Sequence, residues 1–291
     1  MTGSLLDVCL ALLLIGAAAG TLVGAESEAA AAPDIGASSR ASETAETLAG
    51  STSAVEYTLV SAGGEAESDG ATASPEAQRV AHATLAEHLA RAAVRSATVD
   101  GSAPSPTAAD YRRGVRRTVA DAIGSNTRVR AVWRPLPCDD FDGTPRVEGA
   151  IGIGPHPPAS TSVHAARFTV PVAPSSDSSD SEHTNTEAAG GVAARTIAVL
   201  FPPDRIAAAE RGDNAAERVV RDRYRRIGAV LGVDAVEALD RGGPREANRA
   251  LAAALADRHA GTDSPEPSGE PDACGSGDPG RVTVVVRTWS A

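Results

Sequence analysis

The 291-residue chain has no lysine, few aromatic residues and only three cysteines. All 27 of its basic side chains are therefore arginine, and 38 acidic residues bring the formal net charge to −11. A lysine-free, acidic and alanine-rich composition is typical of a high-GC genome and of protein surfaces that stay soluble in concentrated salt. The composition predicts a halophilic source, with an ordinary high-GC bacterium as the alternative.

The chain also lacks a recognisable catalytic motif. It contains no GxSxG, HExxH or Cys–His arrangement, and its six histidines are scattered. The glycine-rich stretch GAIGIGPHPP matches neither GxGxxG nor a P-loop. Aromatic residues make up 3% of the chain, too few to form the stacking platforms on which single-stranded nucleic acids bind. The sequence therefore predicts a protein that is not an enzyme, with no cofactor and no nucleic-acid partner.

Two of the three cysteines, Cys138 and Cys274, lie in turn-rich stretches beside predicted strands, whereas Cys9 lies in an apolar run. In an oxidising environment the first two would form one disulfide. Closing a loop of about 136 residues would be worth about 4–5 kcal/mol in the chain-entropy model. Two free thiols are the alternative. Neither cysteine has a second Cys or a His at ligand spacing, which argues against a zinc site.

The stretch CDDFDG is the most site-like in the sequence. If it were an EF-hand loop, Asp140 and Asp142 would occupy the third and fifth positions. Gly149 would then stand at the twelfth position, where a bidentate glutamate is required, so the stretch is not an EF-hand. A calcium site of another kind, formed by Asp139, Asp140 and Asp142, is one hypothesis. An Asp-rich turn is the alternative.

An uncharged, apolar run from Val8 to Ala25 opens the chain. With Leu5 and Leu6 counted around Asp7 the run has about 20 residues, and at about 1.5 Å per residue such a helix just spans a bilayer core of about 30 Å. It could be a cleaved signal peptide, a membrane anchor or the assembly helix of a pilin-like subunit. The basic residues that precede secretory signal sequences are missing. The flank that follows holds Glu26, Glu28 and Asp34 and has no arginine before Arg40, whereas a cytoplasmic flank is rich in Arg or Lys, so the long C-terminal part is expected outside the cytoplasm.

The remaining pattern predicts an α+β domain in which a mostly antiparallel sheet carries helices on one face. The predicted regions are a transmembrane helix or signal-anchor at 1–25, a disordered acidic linker at 26–53, and an extracytoplasmic domain at 54–291 with acidic loops at 173–191 and 262–280. Strands are predicted at 54–60, 127–136, 146–154, 162–172, 192–201 and 281–289. Helices are predicted at 74–94 with Ser74 as N-cap, and at 107–124, 215–232, 233–240 and 245–261.

Charge is segregated along the chain. The segments 26–74, 173–191 and 262–280 hold almost half of the acids and a single arginine. The rest of the domain is basic, and two of its helices carry arginine-rich faces: Arg112, Arg113, Arg116 and Arg117 on one, Arg218, Arg221, Arg225 and Arg226 on the other. One interpretation is a pair of solvated faces matched to nearby acids. The other is an anion-binding surface for lipid headgroups, an acidic glycan or an acidic neighbouring subunit.

The opening sequence MTGSLLDVCLALLLIGAAAG resembles the N-termini of archaeal type IV pilin-like proteins, and the chain in general resembles haloarchaeal membrane-anchored surface proteins. In that family a leader ending in glycine is cleaved, and the apolar helix remains to pack into a filament or membrane complex. The resemblance implies cleavage after Gly3, Ser4 as the new N-terminus, and Asp7 near the position of the family's acidic residue. It implies membrane lipid and other pilin-like or membrane subunits as partners.

The first functional hypothesis is therefore a single-span, membrane-anchored surface or assembly protein that acts through protein–protein contacts without catalysis. The second is an exported binding module that captures an anionic or metal ligand through the arginine faces or the CDDFDG turn. An unrecognised hydrolase is a third, for which no motif in the sequence argues.

Overall fold

The computed structural model describes residues 35–59, 78–104, 108–136, 146–172, 185–212, 214–260 and 278–290. The helices in these ranges are α1 (Ile35–Gly50), α2 (Leu85–Arg95), α3 (Ala108–Ala122), α4 (Asn185–Leu200), α5 (Pro203–Glu210), α6 (Asn214–Leu231) and α7 (Ala235–Ala260). The strands are β1 (Thr52–Thr58), β2 (Gln78–Thr84), β3 (Thr98–Val99), β4 (Thr127–Trp133), β5 (Val147–Ile153), β6 (Val163–Pro171) and β7 (Arg281–Trp289).

Five strands form one antiparallel sheet in the order β3–β5–β4–β7–β6. The C-terminal strand β7 lies between β4 and β6, so the chain's last strand pairs within the sheet as predicted. The predicted strands at 127–136, 146–154, 162–172 and 281–289 correspond to β4, β5, β6 and β7. A mixed α+β architecture with antiparallel sheets and helices is thereby confirmed.

The two faces of this sheet differ in burial. Alternate residues of β4, including Val129, Ala131 and Trp133, are fully buried, and Val284 and Val286 of β7 lie directly beside them. Helices α1 and α2 contact these strands and belong to the same hydrophobic core. The residues between, which point to the opposite face, are exposed or half-buried. The alternation of apolar and polar residues therefore sets which side of the sheet the helices cover.

A separate two-stranded sheet, β1 with β2, precedes α2. The strand predicted at 54–60 is present as β1. The helix predicted at 74–94 is wrong over residues 78–84, which form strand β2. The helix begins only after Thr84, whose Oγ1 accepts a hydrogen bond from Glu87 N at 3.1 Å, while Glu87 Oε2 accepts one from Thr84 N at 3.2 Å. This capping box fixes the start of α2. The predicted N-cap, Ser74, lies outside the described residues.

The predicted disordered linker at 26–53 is wrong over α1. Ala41 and Leu48 of this helix are almost completely buried, and Ala45 is packed against the same core. These residues recur at intervals of four and three, so they form one apolar stripe, which packs on β6 and β7. The segment is helical because its few apolar side chains are buried against the apolar face of the sheet.

The strand predicted at 192–201 is also wrong, because these residues lie mostly in helix α4. Ala193, Ile197 and Leu200 are buried, a spacing of four and three that places them on one side of a helix. This side packs along α7. In a short run rich in Val, Ile and Ala, the spacing of apolar residues does not distinguish a helix from a strand. Here the packing against α7 stabilises the helix.

The helices that follow α4 agree with prediction except for α5, which was not predicted. The predicted helices at 233–240 and 245–261 correspond to α7, which is interrupted at Gly243 by φ 72° and ψ −168° and is followed there by Pro244. Tyr224 of α6 contacts both the residue that follows α4 and helix α7. Its ring stacks on Phe201 with 4.6 Å between centroids, and its Oη donates to Asn248 Oδ1 at 2.8 Å.

Candidate functional site

Most of the short sites predicted from the sequence lie outside the described residues. They are the leader positions Gly3, Ser4 and Asp7, the cysteines Cys138 and Cys274, and the aspartates Asp139, Asp140 and Asp142. Among the residues that are described, no helix is both long and apolar enough to cross a membrane. The same residues contain no group of three or more His, Cys, Asp or Glu placed to hold a metal ion.

One of the two predicted arginine faces is largely neutralised by its own surroundings. Its members all lie on α6: Arg218, Arg221, Arg225 and Arg226. The Arg221 guanidinium lies 2.6 Å from Asp240 and 3.2 Å from Glu217, and hydrogen bonds to these two carboxylates raise the pKa of Arg221. The other two ion pairs share one acid, Asp222, with Arg225 at 3.5 Å and Arg226 at 2.8 Å. Arg218 forms no ion pair with any described residue, so this face has three acids for its four arginines.

The other predicted face, on α3, keeps most of its charge. Its members are Arg112, Arg113, Arg116 and Arg117. Arg113 pairs with Asp110 at 2.6 Å, and the other three form no ion pair with any described residue. Asp110 also binds a residue outside α3, because its Oδ2 accepts a hydrogen bond from Thr58 N of β1 at 2.7 Å. That bond, and secondarily the contact with Arg113, lower the pKa of Asp110. The α3 face is thus the more cationic of the two.

A third arginine surface, which the sequence analysis did not predict, covers the open face of the five-stranded sheet. Arg128 and Arg130 of β4 alternate with buried residues, and the register places Arg128 directly beside Arg287 of β7. Arg130 and Arg167 of β6 stand on either side of Val285 in the same cross-strand row. We call these four residues the sheet arginines: Arg128, Arg130, Arg167 and Arg287.

The sheet arginines have no counterion among the described residues. Arg128 Nη1 donates to the backbone oxygen of Gly154 at 3.1 Å, and the other three form no ion pair there. Glu148 is the one acidic residue in the five strands. Like charges on directly opposite strand positions repel each other and destabilise a sheet. An anionic group bound to this exposed face would relieve the repulsion between the arginines, so the surface is suited to bind one.

The surroundings of the sheet arginines leave their guanidinium groups accessible. Small side chains occupy the neighbouring positions, with Gly152 opposite Arg130 and with Ala165 opposite Arg287. Neighbouring strands are about 4.8 Å apart, and alternate residues along one strand about 6.8 Å apart. This spacing presents several planar guanidinium forks to a row of carboxylates, which each fork can bind in a bidentate manner. The surface provides binding groups and no general acid–base pair.

The sequence does contain part of the signal for this surface. TRVRAVW places two arginines at alternate positions of a predicted strand, which puts both on one side, and VVVRTW places one arginine in another predicted strand. The order of strands in the sheet is not contained in that pattern. Only the register shows that arginines from β4, β6 and β7, which are far apart in sequence, lie side by side.

A family model described as a family of unknown function (DUF7284) matches residues 6–289. The chain belongs to this family. The match includes every described element, from α1 to β7, and with them the sheet arginines and both helical arginine faces. No curated protein and no solved structure matches the chain.

Proposed function

We propose that this protein is a single-span, membrane-anchored surface or assembly protein of the pilin-like kind. Its α+β domain lies outside the cytoplasm and acts through protein–protein contacts, without catalysis. The observation that carries this proposal is the exposed, uncompensated charge of the sheet arginines. A partner subunit with an acidic surface would supply the ion pairs that this domain leaves unmade. Complementary charge of this kind speeds association and selects the partner.

The contact surface can be tested by site-specific photo-cross-linking in membranes of the native host. A photoreactive amino acid at Thr283, between Val132 and Thr169 on the open face, is expected to cross-link to a membrane-associated partner. The test variant combines Arg130→Gln, Arg167→Gln and Arg287→Gln. The matched control removes the same charge from α6 by Arg218→Gln, Arg225→Gln and Arg226→Gln.

We expect the cross-linked yield to fall at least tenfold in the sheet variant and to change little in the α6 control. Raising the salt concentration should lower the yield for the wild-type chain, since exposed ion pairs are screened. Equal cross-linking of the wild type and the sheet variant would contradict the proposed surface. No cross-link in the wild-type chain would contradict it as well.

The anchor is tested separately by mass spectrometry of the mature N-terminus in isolated membranes. A pilin-like maturation predicts a chain that begins at Ser4 and stays in the membrane fraction. A retained, uncleaved start would support a membrane anchor of another kind. A soluble product beginning at Glu26 would contradict both the anchor and the pilin-like assembly.

The second candidate function is an exported module that binds an anionic ligand. The unpaired arginines of α3 favour it, since an acidic glycan could follow Arg112, Arg116 and Arg117 along the helix. Calorimetric titration of the purified domain with an acidic glycan should then release heat that the combined variant Arg112→Gln, Arg116→Gln, Arg117→Gln abolishes. A parallel titration with Ca²⁺ tests the aspartate turn. No heat in either titration would remove this candidate.

A further inference from the structure

Strand β6 forms the long open edge of the five-stranded sheet. It stands last in the strand order and has nine residues, whereas β3 at the opposite edge has two. The N–H of Val172, just beyond β6, donates to the backbone oxygen of Gly280 at 2.8 Å, in the register that β6 keeps with β7. Bonded and non-bonded pairs alternate in an antiparallel ladder. The even-numbered residues of β6 therefore bond to β7, and the odd-numbered ones direct their backbone groups away from the sheet.

The outward-directed backbone groups of β6 have no partner among the described residues. They belong to Val163, Ala165, Arg167 and Thr169, all of which are exposed. The next outward position is Pro171, which has no N–H to leave unpaired, as is usual for a proline in an edge strand. A row of unpaired N–H and C=O groups on an exposed edge is a template for a further strand.

The charge beside this edge determines which strand fits it. Directly opposite residues of neighbouring antiparallel strands place their side chains on the same face, with their Cβ atoms about 5 Å apart. A residue opposite Arg167 would lie beside an exposed guanidinium that has no counterion in the described part of the chain. A residue opposite Ala165 would face Arg287 across a small side chain, because Ala165 is the partner of Arg287 in the register. Acidic side chains at both places would each gain an arginine as counterion.

A second copy of this chain fits the edge less well. Pairing β6 with β6 about its centre would place two Arg167 side chains directly opposite each other. Other registers would still bring the sheet arginines of two chains onto one continuous face. Like charges on neighbouring strands are destabilising. Arg167 and Pro171 thus act against self-pairing, as charged residues and prolines do on other edge strands, and the same charge favours an acidic strand.

We propose that β6 binds an extended acidic strand of a partner protein, which pairs antiparallel with residues 163–169 and places two acidic side chains beside Arg167 and Arg287. The inference rests on the proposed function and deepens it, because it states how the acidic partner docks on the sheet arginines. Main-chain hydrogen bonds to the edge would supply affinity, and alternate side chains on the open face would supply specificity. Val163, which is 41% exposed, would contact an apolar side chain of the same strand.

The probe for this site is a synthetic peptide with blocked ends in which glutamate alternates with threonine. Its binding to the purified full chain is measured by fluorescence anisotropy. Glutamates that stand opposite the odd-numbered residues of β6 direct their own N–H groups at the edge, and the threonines direct theirs away from it. N-methylation of the glutamates should therefore raise Kd at least tenfold, whereas N-methylation of the threonines, which keeps the same charge, should leave Kd nearly unchanged. Equal Kd for both methylated peptides would overturn the added strand.

Hydrogen exchange of the full chain, resolved to single amides, provides a readout on the protein itself. Saturating peptide should slow exchange at Ala165, Arg167 and Thr169 at least tenfold, and should leave Phe168, which already bonds to β7, unchanged. A peptide that binds, and whose binding is lost in the sheet variant, but that protects none of these amides would overturn the added strand while the arginine surface stands. Absence of peptide binding would overturn the inference too. Failure of the proposed function is recognised separately, by the missing cross-link from Thr283 in native membranes.

Discussion

His88 of α2 is buried, and both of its ring nitrogens are engaged. Nδ1 lies 2.7 Å from Tyr111 Oη and Nε2 lies 3.1 Å from the backbone oxygen of Ser53. Nε2 must donate to that carbonyl oxygen, so in the neutral ring Nδ1 accepts from the tyrosine hydroxyl. Burial lowers the pKa of His88, against the hydrogen bond to Ser53, which raises it. Because the effect of burial is the larger, the neutral imidazole is favoured in the folded protein.

This network predicts a loss of stability in mild acid. Between the lowered pKa of folded His88 and the ordinary value near 6.5, the unfolded chain binds a proton that the folded chain does not. The free energy of unfolding should therefore fall as the pH is lowered through this window, by at most about 1.4 kcal/mol per pH unit. Urea unfolding between pH 8 and pH 5 should show a steeper slope for the wild type than for His88→Gln.

The control for that slope is His82→Gln, which removes an exposed histidine from the neighbouring strand and should leave the slope unchanged. Burial raises the pKa of Glu210, and this effect has the opposite sign, because folding then favours the protonated carboxyl. It is common to all three chains and cancels in the comparison. If the free energy of unfolding depends on pH with the same slope in the wild type and in His88→Gln, a group other than His88 causes the loss of stability in acid.

At Gly149 the strand β5 lies close against the backbone of α2. A Cβ at this position would lie 2.1 Å from the backbone oxygen of Ala93, which cannot move without shifting the helix. Gly149→Ala should lower the free energy of unfolding by about 3 kcal/mol, the upper end of the usual cost of overpacking. Gly152→Ala on the same strand meets only the flexible end of Arg128 and should cost far less. Chemical denaturation of both variants measures the difference.

Among the elements, α1 shows how tertiary contacts give structure to a segment with little apolar surface of its own. Its buried residue Leu48 belongs to the same core as the strands of the large sheet. Leu48→Ala should therefore cost about 2–5 kcal/mol, the range for a fully buried leucine. Glu46→Ala, at an exposed position on the same helix, should have almost no effect. If both variants unfold at the wild-type denaturant concentration, α1 does not contribute to the core.

The elements also show which sequence signals are dependable. The strands β4 and β7 and the helices α3 and α6 have long, regular patterns that only one secondary structure satisfies, and all four were predicted. The region of β2 and α2 was predicted as one helix because Ala- and Leu-rich residues follow a proline. The signal that separates them is the capping box of Thr84 and Glu87, which can be read in the sequence as TLAE.

At the scale of the whole molecule, β7 connects β4 and β6, two strands from the middle of the chain. It pairs with β4 on one side and β6 on the other, and its residues Val282, Val284 and Val286 are fully buried. Trp133 of β4 donates from Nε1 to the backbone oxygen of Pro279 at 2.9 Å, which fixes the entry into this strand. A chain ending at residue 280 would expose two strand edges and open the core.

We therefore expect removal of 281–291 to abolish cooperative folding, which circular dichroism and tryptophan fluorescence would detect. Removal of 290–291 alone is the control and should leave unfolding unchanged, since the strand ends at Trp289. A cooperative thermal transition in the longer truncation would mean that the remaining strands form a stable sheet without the strand that pairs with both β4 and β6.

The sequence by itself determined the α+β class, the strands and helices with long periodic patterns, and the alternation that puts arginines on one side of β4 and β7. These follow from local geometry, because side chains repeat every two residues in a strand and about every 3.6 in a helix. Tertiary structure alone decided the helical state of α1 and α4. It also decided which arginines are neutralised and which stand together. Ion pairs and strand neighbours join residues distant in sequence, such as Arg221 with Asp240 and Arg128 with Arg287.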